Sequence, residues 1–88
     1  MPKRHPHDYE PVLSARAMET FLELSKAKQR KLAKLLYDLA SPPFREPDYI
    51  TYDSVGRALS NAVFKGYAVT YWLDGHPQEL RVVDLVQL

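Results

Sequence analysis

Residues 61–88 read NAVFKGYAVTYWLDGHPQELRVVDLVQL, and the apolar residues at the centre of this stretch recur with a period of two. Tyr67, Val69, Tyr71 and Leu73 alternate with Ala68, Thr70 and Trp72, which is how a strand presents one row of side chains to each face of a sheet. Gly66 precedes this strand and Asp74-Gly75-His76-Pro77 follows it. Both are turn chemistry, because glycine admits left-handed backbone and proline gives no N–H to a ladder. Upstream, Arg57 to Lys65 alternates more loosely, with Leu59 and Val63 on one face and Ala58, Ala62 and Phe64 on the other. Downstream, Glu79 to Leu88 forms a Val- and Leu-rich strand. Three successive strands with short connections predict an antiparallel meander.

Towards the N-terminus the period changes. Tyr49 to Tyr52 has strand composition, and Asp53, Ser54 and Gly56 punctuate it before the meander. Leu32, Leu35, Leu36 and Leu39 stand at i, i+3, i+4 and i+7, the signature of an amphipathic helix. Ser25 offers that helix an N-cap, and Ser41-Pro42-Pro43 stops it, since a residue before proline is disfavoured in a helix. A shorter helix follows from Ser14 as cap, with Met18, Phe21 and Leu22 as its expected apolar stripe. The break at Leu24 and Ser25 makes the pair either an antiparallel hairpin or one bent helix. Tyr9 to Ser14 reads as a short strand that Pro11 confines to a sheet edge. The expected class is therefore α+β: an N-terminal edge strand and helical hairpin packed on a mostly antiparallel sheet. Residues 1–8 read as a polar arm and 9–88 as one domain.

Composition narrows the function classes. The chain has 88 residues, 45% of them hydrophobic and 26% charged, which is enough apolar content to form a core. It has no cysteine, so disulfides, thiolate catalysis and cysteine-bound zinc are excluded and a cytoplasmic setting is expected. No apolar run suits a signal peptide or a membrane span, so no membrane partner is expected. Net charge is +1, too balanced to indicate a nucleic-acid binder by itself.

The candidate residues follow from chemistry. Arg57, Lys65 and Arg81 lie on three strands or their ends, where long cations either snorkel out of a core or converge on an anion. Lys26, Lys28, Arg30, Lys31 and Lys34 form the densest basic region, either a solvated helix face or a surface for phosphates or an acidic partner. The aromatics Tyr67, Tyr71 and Trp72 pack a sheet or stack unpaired bases. His5, His7 and Asp8 are too few for a defined metal site, and no cofactor motif is present. His76, set between Gly75 and Pro77, reads as a turn residue rather than a general base.

In its order of elements, from FLELSKAKQRKLAKLLYDL (21–39) through the proline stop to VFKGYAVTYWLDG (63–75) and ELRVVDL (79–85), the chain resembles the RelE/ParE superfamily of toxins from bacterial toxin–antitoxin pairs. The resemblance implies a toxin covered by a cognate antitoxin and directed at ribosome-bound mRNA or at DNA gyrase. It implies Lys65 and Arg81 as catalytic phosphate-binding residues, Arg57 and Tyr67 as RNA or target contacts, and Lys26, Arg30 and Lys34 as residues that steer an acidic antitoxin. Two departures count against nuclease chemistry. Ala68 stands where nuclease members usually carry an arginine, and Val86-Gln87-Leu88 lacks their usual basic, histidine or tyrosine group. A domain that keeps the fold only to bind a protein, or a second copy of itself as a homodimer, is the alternative.

Overall fold

A computed structural model describes residues 6–64 and 66–88. Seven elements follow in the order β1 (Glu10–Leu13), α1 (Ala15–Glu23), α2 (Lys26–Leu39), β2 (Tyr49–Tyr52), β3 (Ala58–Phe64), β4 (Tyr67–Asp74) and β5 (Glu79–Gln87). One five-stranded sheet runs β1-β5-β4-β3-β2. The three pairs made by β2 to β5 are antiparallel, and β1 joins β5 in parallel. Pro11 sits on that edge strand, where its missing N–H costs no ladder bond. The expected α+β class and helix-on-sheet architecture are thus present, and the arm expected over residues 1–8 falls mostly outside the described residues.

Two serines set the helix starts. Ser14 Oγ accepts from the Ala17 N–H at 3.1 Å and Ser25 Oγ from the Lys28 N–H at 3.2 Å, each satisfying a donor that the first turn leaves open. Leu24 and Ser25 are both extended, so the chain makes two helices rather than one bent one. Gln29 closes the joint, its Nε2 donating to the Phe21 and Leu24 carbonyls at 3.1 and 3.2 Å.

The core lies between the helices and one sheet face. Leu32, Leu36 and Leu39 from α2 meet Ala62, Tyr67, Val69, Tyr71, Leu80, Val82 and Leu85 from the sheet. In α1 the expected stripe is rotated. Ala17 is fully buried and Phe21 packs on the core, while Leu22 is 65% exposed. The cause is close approach: α1 lies against β5, and only a residue as small as Ala17 fits there.

A register shift between Thr70 and Tyr71 leaves Val83 opposite no residue of β4. This bulge explains how Leu80 and Val82, at even positions, share the core face with Leu85, at an odd one. Ser14 anchors the bulge as well as α1. Its N–H donates to the Val82 carbonyl at 2.9 Å and its hydroxyl to the Val83 carbonyl at 3.0 Å.

Candidate functional site

The sheet face turned away from the helices carries the even residues of β4 and the odd residues of β3. Trp72 is half-buried at its centre, directly opposite Arg81 of β5. The Arg57 guanidinium carbon lies over the indole at 4.2 Å from the ring centroid, and that of Arg81 at 5.7 Å. A cation over an aromatic face is held by the ring quadrupole, about 0.5–1 kcal/mol for an exposed pair.

The β2–β3 hairpin delivers Arg57. Asp53 Oδ1 accepts from the Val55 and Arg57 N–H groups at 3.0 and 2.8 Å, and the Asp53 N–H donates to the Arg57 carbonyl at 3.0 Å. Gly56 completes the turn at φ +85°, a conformation a side chain would oppose. Asn61 fixes the floor beside it. Only 4% exposed, it joins three strands, its Nδ2 reaching Tyr49 O, Leu59 O and Thr51 Oγ1 at 3.3, 3.3 and 3.0 Å. Its Oδ1 accepts from Thr70 Oγ1 at 2.7 Å. Buried amides need such partners, so Asn61 makes the open face a rigid platform.

The two arginines differ electrostatically. Arg81 is held by Asp74, Nε to Oδ2 at 3.1 Å, and by Glu79, Nη2 to Oε1 at 2.7 Å. Arg57 makes no ion pair among the described residues. The cluster is therefore two cations against two carboxylates, close to neutral as a whole, with both carboxylates on Arg81 and none paired to Arg57 among the described residues. Its chemical capacity is to bind an anion and stack a planar group.

The structure brings Arg57 and Arg81 together but separates Tyr67 from them. Tyr67 is 8% exposed and belongs to the core on the helix side, so its ring offers no free stacking face. Trp72 holds the position that the sequence reading gave to Tyr67. Lys65 lies outside the described residues, as does His5. Among the described residues no group of three His, Cys, Asp or Glu side chains is placed to hold a metal, and no helix is long and apolar enough to cross a membrane.

Lys26, Arg30 and Lys34 are all exposed on α2, and Lys34 lines a cleft to which the other two do not contribute. That cleft, about 730 Å³, lies between α2 and the β3–β4 hairpin, with Lys28, Lys31, Lys34, Leu35 and Asp38 on one wall and Phe64 and Tyr67 on the other. Nearby, Arg45 lies over the Phe64 ring at 4.7 Å and pairs with Asp48 at 3.0 Å. Burial pushes the Tyr71 phenol above its ordinary pKa of 10.0, the Arg45 charge opposing the rise and the Asp48 carboxylate adding to it.

No family model matches the chain, and no curated protein matches its sequence. Its fold is nevertheless shared with solved structures. The toxin–antitoxin complex RelBE2 from Mycobacterium tuberculosis contains a chain that superposes with a TM-score of 0.73 at 13% identity, over 92% of this chain and 99% of that one. The archaeal RelE–RelB complex from Pyrococcus horikoshii OT3 contains one that superposes with a TM-score of 0.67 at 16% identity, over 91% and 94%. The fold is RelE-like.

Proposed function

We propose that this chain is the toxin component of a type II toxin–antitoxin pair, neutralised by a cognate antitoxin. One observation carries the reading: more than nine-tenths of this chain superposes on more than nine-tenths of chains from two toxin–antitoxin complexes. Fold alone does not assign a function, and the arginine–tryptophan cluster on the uncovered face adds a place for a target to dock.

Two targets follow from the chemistry. On ribosome-bound mRNA, Arg57, whose guanidinium lies over the Trp72 indole, contacts a phosphate or stacks its plane on a base, while Arg81, with Lys65 as a second cation, stabilises the charge that grows as the 2′-hydroxyl attacks. That reaction also needs a proton-transfer group. The carboxylates beside the cluster, Asp74 and Glu79, are both engaged with Arg81. On DNA gyrase, no such group is required, and the nearly neutral cluster suits a protein surface better than a polyanion. A fold retained only for protein binding shares this second feature.

The purified chain added to cell-free translation of a defined mRNA, and separately to a gyrase supercoiling reaction, tests the proposal. Cleaved message assigns the first target and inhibited supercoiling the second. Inertness of the folded chain in both reactions overturns the toxin reading and leaves the protein-binding domain.

A further inference from the structure

We infer that β2 is the contact edge of a homodimer, in which two copies of this chain join β2 to β2 antiparallel and make one continuous sheet. The sheet ends at β2 on one side and at β1 on the other, and the two edges are protected unequally. A bare edge offers unpaired N–H and C=O groups to any strand that reaches it, and proteins blunt it with proline or charge. β1 carries both, in Pro11 and Glu10. β2 reads Tyr49-Ile50-Thr51-Tyr52, with neither, and all four residues are exposed.

The hydrogen-bond phase of β2 selects the register. The Asp53 N–H donates to the Arg57 carbonyl across the hairpin, and residues of an antiparallel strand alternate between bonding one neighbour and facing away from it. Thr51, opposite Leu59, and Tyr49, opposite Asn61, therefore bond β3, while the backbone groups of Ile50 and Tyr52 point out of the sheet edge. A twofold axis at Thr51 sets Ile50 against Tyr52 of the second copy, and Tyr52 against its Ile50, each pair exchanging both backbone bonds. The contact is self-complementary, as a twofold interface requires. Its side-chain pairs, Ile with Tyr and Thr with Thr, are favourable across strands. Charge does not oppose it: Asp48 is held by Arg45 and the Val63 N–H, Asp53 accepts from the hairpin N–H groups, and a net charge of +1 per chain gives little repulsion. Tyr52 is 70% and Ile50 46% exposed, so pairing takes apolar surface out of water. A strand this short covers less than the roughly 800 Å² per partner of a standard interface, which makes the dimer reversible, with a Kd on the order of 1–100 μM.

Pairing also aligns the open faces. Thr51 lies opposite Leu59, and Ser60 opposite Tyr71, which sets Trp72 in the same cross-strand row as Thr51. Directly opposed residues share a face, so both Arg57–Trp72–Arg81 clusters open on one side of the joined sheet. Their tryptophans stand five strand spacings apart, about 24 Å, and a target that reaches both is held at two sites at once.

Sedimentation velocity of the purified chain from about 1 μM to about 1 mM should show monomer passing to dimer. Tyr52→Lys sets a cation against Ile50 of the second copy at both symmetric contacts and should raise Kd about tenfold or more. Leu22→Lys makes the same charge change at a 65% exposed site on α1, which lies against β5, and should raise it less than about threefold. Circular dichroism checks that both variants fold. Disulfide trapping reads the register, since the chain has no cysteine of its own. Thr51→Cys brings two thiols face to face across the axis, at the Cα separation of about 4.5 Å of an opposed pair that shares no backbone bonds, within reach of a disulfide. Tyr49→Cys, on the same face, meets Asp53 of the second copy and leaves its two Cα atoms beyond the limit of about 7 Å. Mild oxidation should crosslink the first variant and not the second. A chain that stays monomeric throughout overturns the inference and leaves the β2 edge to a strand of another protein. Equal weakening by Tyr52→Lys and Leu22→Lys, or crosslinking of Tyr49→Cys as readily as of Thr51→Cys, overturns it by moving the contact elsewhere.

Discussion

Replacing Asn61 with Ala should remove the polar joint that ties β2, β3 and β4 together. The side chain is 4% exposed and is bonded to Tyr49 O, Leu59 O, Thr51 Oγ1 and Thr70 Oγ1. Its two N–H groups share three acceptors, so it makes two full donor bonds and one acceptor bond. A typical intramolecular hydrogen bond contributes about 1 kcal/mol net, and a buried group left unpaired costs about as much again. The expected loss is then about 2–4 kcal/mol, out of a total of about 5–15 kcal/mol for a small domain. At about 4–8 °C per kcal/mol for a domain of this size, Tm should fall by at least about 8 °C. The assay is chemical denaturation followed by tryptophan fluorescence, with Val63→Thr as the reference. Val63 is on the same strand face but 41% exposed, so its change should stay within about 0.5 kcal/mol. A loss for Asn61→Ala no larger than that of Val63→Thr would refute the view that Asn61 organises this face.

Ser14→Ala removes both the α1 cap and the bond to the bulge carbonyl of Val83; it should cost about 2 kcal/mol, and a loss under about 0.5 kcal/mol would deny the double role. Tyr71 has a phenol pKa raised by burial, so the folded chain holds a proton that the unfolded chain releases near pH 10. Stability should be level below that pH and fall as pH rises through the folded value, and Tyr71→Phe should flatten the fall; equal alkaline slopes in denaturation curves of the two proteins would contradict the assignment. Arg57→Ala should lower potency in whichever target reaction the chain affects by about tenfold to a hundredfold, the scale of a charge-assisted hydrogen bond. Exposed Arg16, paired with Asp84 at 3.5 Å, should be replaceable without effect, and equal losses at the two positions would remove Arg57 from the site. If RNA is the target, Arg81→Ala and Lys65→Ala should reduce cleavage more than Lys28→Ala does, and cleavage unchanged in both would end their assignment.

Much of the fold is legible because its signals are local. Ser14 and Ser25 cap where their residue type says they should, Leu32, Leu36 and Leu39 turn inward at helical spacing, and β4 keeps its alternation with Tyr67, Val69 and Tyr71 buried. What the sequence hides depends on long-range contacts. The Val83 bulge breaks the period of two, and nothing in Val82-Val83-Asp84 marks which residue loses its partner. Ala17 faces inward in place of Met18 and Leu22 because of how closely α1 meets β5, which hydrophobicity alone does not register.

The site was legible in part for the same reason. Arg57 and Arg81 were identifiable as strand cations, but the indole between them is a cross-strand neighbour that sequence spacing does not show. Tyr67 carries an aromatic suited to stacking, and the alternation sets it on the face opposite Trp72 without saying which of the two faces the helices cover. Asn61 gave no signal, since a buried amide is distinguished only by the partners that surround it. Lys28, which the sequence leaves open between a solvated helix face and a binding surface, lines the cleft; position along a helix does not reveal how far the facing strands stand off.

The toxin reading is tested most directly by growth. The chain is placed under an inducible promoter in a bacterial host, alone and together with the reading frame adjacent to its own gene, and colony-forming units are followed after induction. The account predicts arrest with the chain alone and relief when the neighbouring product is present. Unimpaired growth with the chain shown to be abundant and folded would contradict it.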